Sequence, residues 1–379
     1  MQTNWQTKKL EDICEDLFAG GDVPKDNFSK VKTEKFNIPI FSNGEKNKGL
    51  YGYTNTGRVI KPSITISARG TIGYSEIRNS PFYPAVRLIV LLPDNKEIDI
   101  KFLKYVIESI DFSRSGTSIP QLTVPMVSDK EICYPPLPEQ KRIVKILDGV
   151  FAKIDQAKAN TEKNLANSQE LFDSYLNDIF ANPGKDWEER QLKDVYDVRD
   201  GTHDSPKYQE SGYPLITSKN LKEGKLNFDK VKYISTSDYK AINKRSKVNK
   251  GDVLFAMIGT IGNPVVVDVE PKFSIKNVAL FKNNTEQNTY FLKYYLSSKM
   301  VIDKMLREAK GTTQKFVGLG YLRNFPVFIP LLTTQKTIVA KLDKLSAQTQ
   351  KLTQIYQQKI DNLGELKKSI LQQAFGGKL

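Results

Sequence analysis

At 379 residues, with 39% hydrophobic and 26% charged side chains, the chain can hold two ordinary domains, and no run in it approaches the roughly 20 apolar residues of a membrane span. One histidine and two cysteines exclude paired-histidine and four-cysteine zinc sites, duplicated Ser-His-Asp relays and disulfide frameworks; with no secretory leader at the start, the expected compartment is the cytoplasm. The 57 Lys plus Arg against 43 Asp plus Glu leave a net charge of +14, which points to a polyanionic partner.

Read in chain order, the sequence is written twice. Trp5, Leu10, Asp12 and Ile13 reappear as Trp187, Leu192, Asp194 and Val195, and Pro24-Lys25 reappears as Pro206-Lys207, all at an offset of 182. Gly70-Thr71-Ile72-Gly73 matches Gly259-Thr260-Ile261-Gly262, and Phe102-Leu103-Lys104-Tyr105 matches Phe291-Leu292-Lys293-Tyr294, at 189. Gly116-Thr117 pairs with Gly311-Thr312, and Gln140-Lys141 with Gln335-Lys336, at 195. An offset that grows in loop-sized steps is the mark of a duplicated domain.

Within each copy, apolar or alternating runs bounded by Gly and Pro predict strands at 63–68, 86–92, 253–258 and 265–269, and helices at 100–110 and 289–306. These are α+β segments. Each ends at a proline-marked border, Pro135-Pro136-Leu137-Pro138 in the first copy and Pro326 to Pro330 in the second. A long polar helical stretch follows each border. The predicted parts are thus a globular domain at 1–136, a helical spacer at 137–186, a second globular domain at 187–330 and a second spacer at 331–379.

Steps of four and three predict a heptad seam in each spacer. In the second it runs Ile338, Leu342, Leu345, Thr349, Leu352, Tyr356, Lys359, Leu363, Leu366 and Ile370. In the first it runs Ile143, Leu147, Val150, Ile154, Ala157, Thr161, Asn164, Ser168, Leu171 and Tyr175, 195 residues earlier at each step. At about 1.5 Å per residue, 143–180 makes a rod of roughly 55 Å. The matched registers favour an intramolecular antiparallel coiled coil with pseudo-twofold symmetry over a homodimeric one.

Charge is uneven. Residues 1–136 carry 18 basic and 16 acidic side chains, whereas 187–330 carry 24 and 16, so the second globular segment is expected to hold the larger share of salt-dependent phosphate contacts.

The chain resembles the specificity subunit of type I restriction-modification systems. The resemblance rests on the double arrangement and on the motifs Asp200-Gly201-Thr202-His203-Asp204-Ser205-Pro206, Tyr213 to Asn220, Gly251 to Phe255, Pro138 to Ile143 and Gln373 to Leu379. It implies that each globular segment is a target recognition domain reading one half of a split sequence in double-stranded DNA. It also implies that the coiled coil sets the gap and docks two modification subunits, which carry S-adenosylmethionine and methylate adenine. Restriction subunits would supply an ATP- and Mg-dependent motor and nuclease, leaving this chain without cofactor or metal of its own. In keeping with this, the chain has no Asn-Pro-Pro-Tyr methyltransferase signature and no phosphate-binding Gly-Lys-Ser/Thr loop.

Candidate DNA contacts are polar residues beside the repeated motifs. In the first domain these are Lys25, Ser42, Asn43, Arg69, Thr71, Thr117, Ser118 and Gln121. In the second they are Lys207, Tyr208, Ser218, Lys219, Asn220, Thr260, Thr312, Thr313 and Lys315. Arg69 stands out because the aligned position is Ile258 and Arg can read guanine with two hydrogen bonds. His203, aligned with Gly21, is expected in a turn facing DNA rather than at a metal. Cys14 and Cys133 are expected to be packing residues. Two rival readings remain: a metal-dependent endonuclease built on Asp252 with Glu270 and Lys272, and a coiled-coil adaptor without sequence preference.

Overall fold

The computed structural model describes residues 4–112 and 121–375. They divide into two compact units, one formed by residues 1–162 with 358–379, the other by 163–357. The first unit is not a continuous piece of chain, because the end of the second long helix returns to it, whereas the second is one continuous stretch that takes the later part of the first long helix and the earlier part of the second.

In the first unit a four-stranded antiparallel sheet has the spatial order Cys14–Ala19, Ile89–Pro93, Ser63–Ile66, Ser75–Arg78. A three-stranded sheet, Leu50–Thr54, Ile38–Phe41, Tyr83–Pro84, includes one parallel pairing, and Gln6–Lys9 pairs with Glu131–Tyr134. The second unit repeats this plan. Its sheets are Val198–Asp200, Val278–Phe281, Val253–Ala256, Gly262–Val266 and Lys232–Ile234, Tyr213–Ile216, Ser274–Ile275, with Glu188–Gln191 paired to Pro326–Ile329. It adds a short hairpin, Leu221–Lys222 with Lys225–Leu226, and a helix, Thr236–Ser246.

Three sequence-predicted elements differ; the strand expected at 265–269 runs Gly262–Val266. The run at 86–92 becomes a strand only from Ile89, because Val86 and Arg87 take left-handed backbone conformations and turn the chain. The helix expected over 289–306 is two, Thr289–Ser297 and Lys299–Glu308, broken at Ser298, whose backbone is extended.

Each domain fastens its long helix through a buried glutamine. Gln140 Oε1 accepts from Asp99 N at 2.7 Å while its amide donates to Pro135 O at 2.8 Å; Gln335 Oε1 accepts from Asn288 N at 2.9 Å and its amide donates to Pro330 O at 2.9 Å. Asp99 and Asn288 in turn cap the helices Ile100–Ser109 and Thr289–Ser297, satisfying backbone N–H groups that the first helical turn leaves free. Tyr105 donates to Asp148 at 2.6 Å, as Tyr294 does to Asp343.

The long helices are Leu137–Ala181 and Leu332–Phe375. In the first unit Ile143, Leu147, Phe151 and Ile154 share a core with Leu371 and Ala374; in the second, Leu176 and Phe180 share one with Val339 and Leu342. The start of each helix therefore packs beside the end of the other, an antiparallel pair within one chain.

The covered seam departs from the predicted one at several positions. Ile143, Leu147, Val150, Ile154, Ile338, Leu342, Leu345, Leu363 and Ile370 are buried or half-buried, but Leu352 is 40% and Leu366 47% exposed. Leu171 is 64% exposed, and Tyr175 is also exposed. The covered stripe runs Leu342, Ser346, Thr349, Thr353, Tyr356, Ile360, Leu363, Lys367, Ile370, Ala374, and in the first helix Thr161, Leu165, Ser168, Phe172, Leu176. In the second helix the steps again alternate four and three, so the heptad spacing is kept on Leu342, Thr349, Tyr356, Leu363 and Ile370, but Thr353, Ile360 and Lys367 are covered in place of the predicted Leu352, Lys359 and Leu366.

Candidate nucleic-acid interface

A glycine sets the frame of each domain's loop corner. A Cβ on Gly20 would stand 2.6 Å from the Pro84 carbonyl carbon, and one on Gly201 would stand 2.3 Å from Ile275 O, so only glycine permits the chain to cross there. The next residues make equivalent parallel bridges, Gly21 to Ala85 and Thr202 to Lys276. His203 is therefore the counterpart of Asp22, not of Gly21; the sequence alignment was one residue out. The equivalence of Arg69 and Ile258 stands, since Ala68 and Met257 each accept from the backbone N–H of the matching returning segment, at Leu122 and Val317.

In the first domain, Asn43 ties three loops together. Its Oδ1 accepts from Ala68 N at 2.7 Å and its Nδ2 donates to Val86 O at 2.6 Å, which uses the side chain within the domain. Arg69 is exposed and donates through Nη2 to Gln121 Oε1 at 2.7 Å. Thr71 lies exposed in the turn opened by Gly70 at φ 72°, and Lys25 is exposed. Ser42 holds its turn through a backbone bond to Gly49 O. Thr117 and Ser118 lie outside the described residues.

The second domain gathers its candidates into a groove. Tyr208, Ser218, Lys219 and Asn220 line it together with Lys230, Lys232, Lys276, Asn277 and Gln314, and Thr260 borders the adjoining hollow beside Ser218 and Lys230. Lys232 Nζ sits 4.1 Å from the centre of the Tyr208 ring, leaving an aromatic surface and a cation side by side. Asn220 is buried: it accepts from Thr217 N and donates to Asn227 O, both at 3.0 Å. Lys207, Thr312 and Thr313 are exposed, while Lys315 donates to Leu306 O at 3.0 Å, capping a helix end. Lys230, Lys232 and Lys276 escaped sequence reasoning because they lie outside the repeated motifs.

His203 bridges Asn277 Oδ1 at 2.8 Å and Asp200 Oδ2 at 2.9 Å, while Arg245 takes the other Asp200 oxygen. The arrangement buttresses a loop. Among the described residues, no cluster of three or more His, Cys, Asp or Glu could hold a metal. Asp252 is equally structural: buried, it pairs with Lys282 and accepts from Asn249 N at 2.7 Å and Asn283 N at 2.9 Å. With both oxygens taken up, it is not an open metal ligand. Burial pushes the Cys14 thiol up to about 12, whereas Cys133, against expectation, is exposed and contacts the Thr7 hydroxyl at 3.1 Å.

The backbone holds one costly feature. Val86 and Arg87 have φ of 54° and 60°, a region that disfavours side chains by about 1–2 kcal/mol each and a β-branched one most. Asn277 occupies the matching corner of the second domain at φ 53°. Asparagine tolerates this conformation and so gave a faint sequence signal; valine gave none.

Comparison with known proteins agrees with this repeated architecture. The family model described as type I restriction modification DNA specificity domain matches residues 2–165 and again 184–362, and the chain belongs to that family. A putative type I specificity subunit of Mycoplasma pneumoniae is 36% identical over 181 residues, covering 47% of this chain and 53% of that protein. A second from the same organism is 36% identical over 143 residues, covering 38% and 39%. The matches thus span about half or less of those relatives' own lengths. The MjaVIII specificity subunit of Methanocaldococcus jannaschii is 26% identical over 316 residues, 77% of this chain and 73% of its own. The fold is also that of solved structures: a chain of a type I R-M system studied for complex assembly and conformational transition has a TM-score of 0.75 at 19% identity, covering 100% of this chain and 99% of that one. The HsdS subunit from Thermoanaerobacter tengcongensis has 0.56 at 18%, covering 100% and 98%. Among the described residues no helix is long and apolar enough to cross a membrane.

Proposed function

We propose that this chain selects the DNA target of a type I restriction-modification complex, each domain reading one half of a split sequence. The observation that carries the proposal is that the two units share sheet order and register while differing in the side chains of their loop corners and grooves. A common frame with different tips suits two readers of different half-sequences, phosphate contacts positioning each domain and base edges supplying the choice. The chain itself is a targeting subunit without catalytic groups or cofactor. Two modification subunits, carrying S-adenosylmethionine and methylating adenine, dock on the long helices; restriction subunits supply the ATP- and Mg-dependent motor and nuclease. The complex works in the cytoplasm, and the length of the helical pair sets the gap between half-sequences.

The test is a map of methylated adenines in DNA exposed to the chain with its modification partners. Two half-sequences at a fixed gap are expected, and exchanging residues 187–330 for another second domain should change one half only. A footprint indifferent to sequence would favour the adaptor reading. Inserting residues into the long helices should change the gap and neither half; the opposite result removes the helices from that role.

A further inference from the structure

Four arginines of the first domain have different surroundings. Arg78 is buried, donating to Thr65 Oγ1 at 3.1 Å; Arg58 lies 4.8 Å from the Phe18 ring centre; Arg69 donates to Gln121. Arg87 is exposed and its guanidinium has no hydrogen bond, ion pair or ring contact among the described residues. Yet its backbone is among the most tightly determined in the domain. Val86 N donates to Gly21 O at 2.7 Å, Arg87 N to Gly20 O at 3.0 Å, and Asn43 holds Val86 O. Two consecutive left-handed residues without glycine persist only when the surroundings over-determine them, and here three loops do so to aim one unpartnered guanidinium outward.

The second domain builds the same corner with a different tip. Asn277 N donates to Thr202 O at 3.1 Å just as Val86 N does to Gly21 O, but the next residue already belongs to the strand, so this corner is one residue shorter and carries no arginine. Its side chain instead meets His203. The two corners thus share their strand crossing but not their tip.

We propose that Arg87 is a specificity-determining residue of the first domain, its planar guanidinium reading the O6 and N7 edge of guanine. This rests on the reading of the chain as a target-selecting subunit. A guanidinium fork matches that edge with two parallel hydrogen bonds, whereas a lysine at the same place offers a single point charge.

The experiment uses the full chain with its modification partners and a DNA library randomised in both half-sequences, scored for methylated adenine. Arg87→Gly removes the guanidinium while supplying the residue that best tolerates the left-handed backbone, and Arg87→Lys keeps the charge without the fork. Both should relax the preference at one guanine of one half-sequence by roughly 5- to 100-fold, leaving the other half and the gap unchanged. A preference kept intact by both variants, or a loss of methylation spread evenly over all sequences, overturns the proposal. A wild-type complex with no half-sequence preference would overturn the target-selecting reading as well, so the two failures are told apart by the wild type alone.

Discussion

Phe375 sets its ring edge-on to Phe102, with centroids 5.3 Å apart and an interplanar angle of 87°. The contact joins the second long helix to the core of the first domain, 273 residues earlier in the chain. Phe375→Ala removes a half-buried aromatic and its edge contact, a loss of about 2 kcal/mol. Hydrogen exchange should quicken in the helix Ile100–Ser109, with amides of the second unit unaffected.

The glutamines at the helix starts should be less replaceable than any apolar neighbour. Gln140→Leu keeps the volume but strands the Asp99 N–H and the Pro135 carbonyl without partners, which costs about 1–3 kcal/mol for each group. Urea unfolding followed by a probe in the first unit should show the loss. Gln335→Leu should place the same loss in the second unit.

Which face of the second long helix is covered can be measured. Leu352→Lys and Leu366→Lys, on the exposed face, should change stability by no more than about 0.5 kcal/mol, whereas Ile360→Asn, on the covered stripe, should cost about 1–2 kcal/mol. A seam through Leu352 and Leu366 would reverse the ranking of Leu352 and Ile360.

Acid should weaken the first domain through Glu97. The hydrogen bond from Lys8, and then the one from Tyr134 at 2.5 Å, hold its carboxyl below the usual 4.5. A folded pKa below the unfolded one means the unfolded state binds more protons in acid. The stabilisation is therefore complete above about 4.5 and is lost as pH falls through the lower folded value. Glu97→Gln should lower stability at neutral pH, with the difference from wild type shrinking below about pH 4 in a series of urea titrations.

The duplication was the most legible part of the chain, because Gly-Thr-Ile-Gly, Phe-Leu-Lys-Tyr and Gln-Lys fall at turns, cores and locks that neither copy can alter freely. Helical spacers were legible as helices, but their seam only in half: a long run of Thr, Ser, Lys and Leu fits more than one stripe of fours and threes through Leu342, Thr349, Tyr356, Leu363 and Ile370, and only burial decides between Leu352 and Ile360. Of the candidate contacts, Tyr208, Ser218, Lys219 and Asn220 come together in one groove, yet Asn43 and Asn220 spend their amides inside the fold. Val86 and Arg87 read as the opening of a strand because β-branched and apolar neighbours favour one, and nothing in their side chains announces a left-handed turn.

The borrowing of helix ends also bears on the order in which the molecule can be finished as it is synthesised. The sheets and helix of the first domain leave the ribosome early, but Leu371, Ala374 and Phe375, which close its core, are made more than 200 residues after Phe151 and Ile154. The second domain, by contrast, has its core partners from Leu176 to Leu342 within one shorter stretch. The domain translated first is thus the one completed last, and until then its apolar helix face stands uncovered.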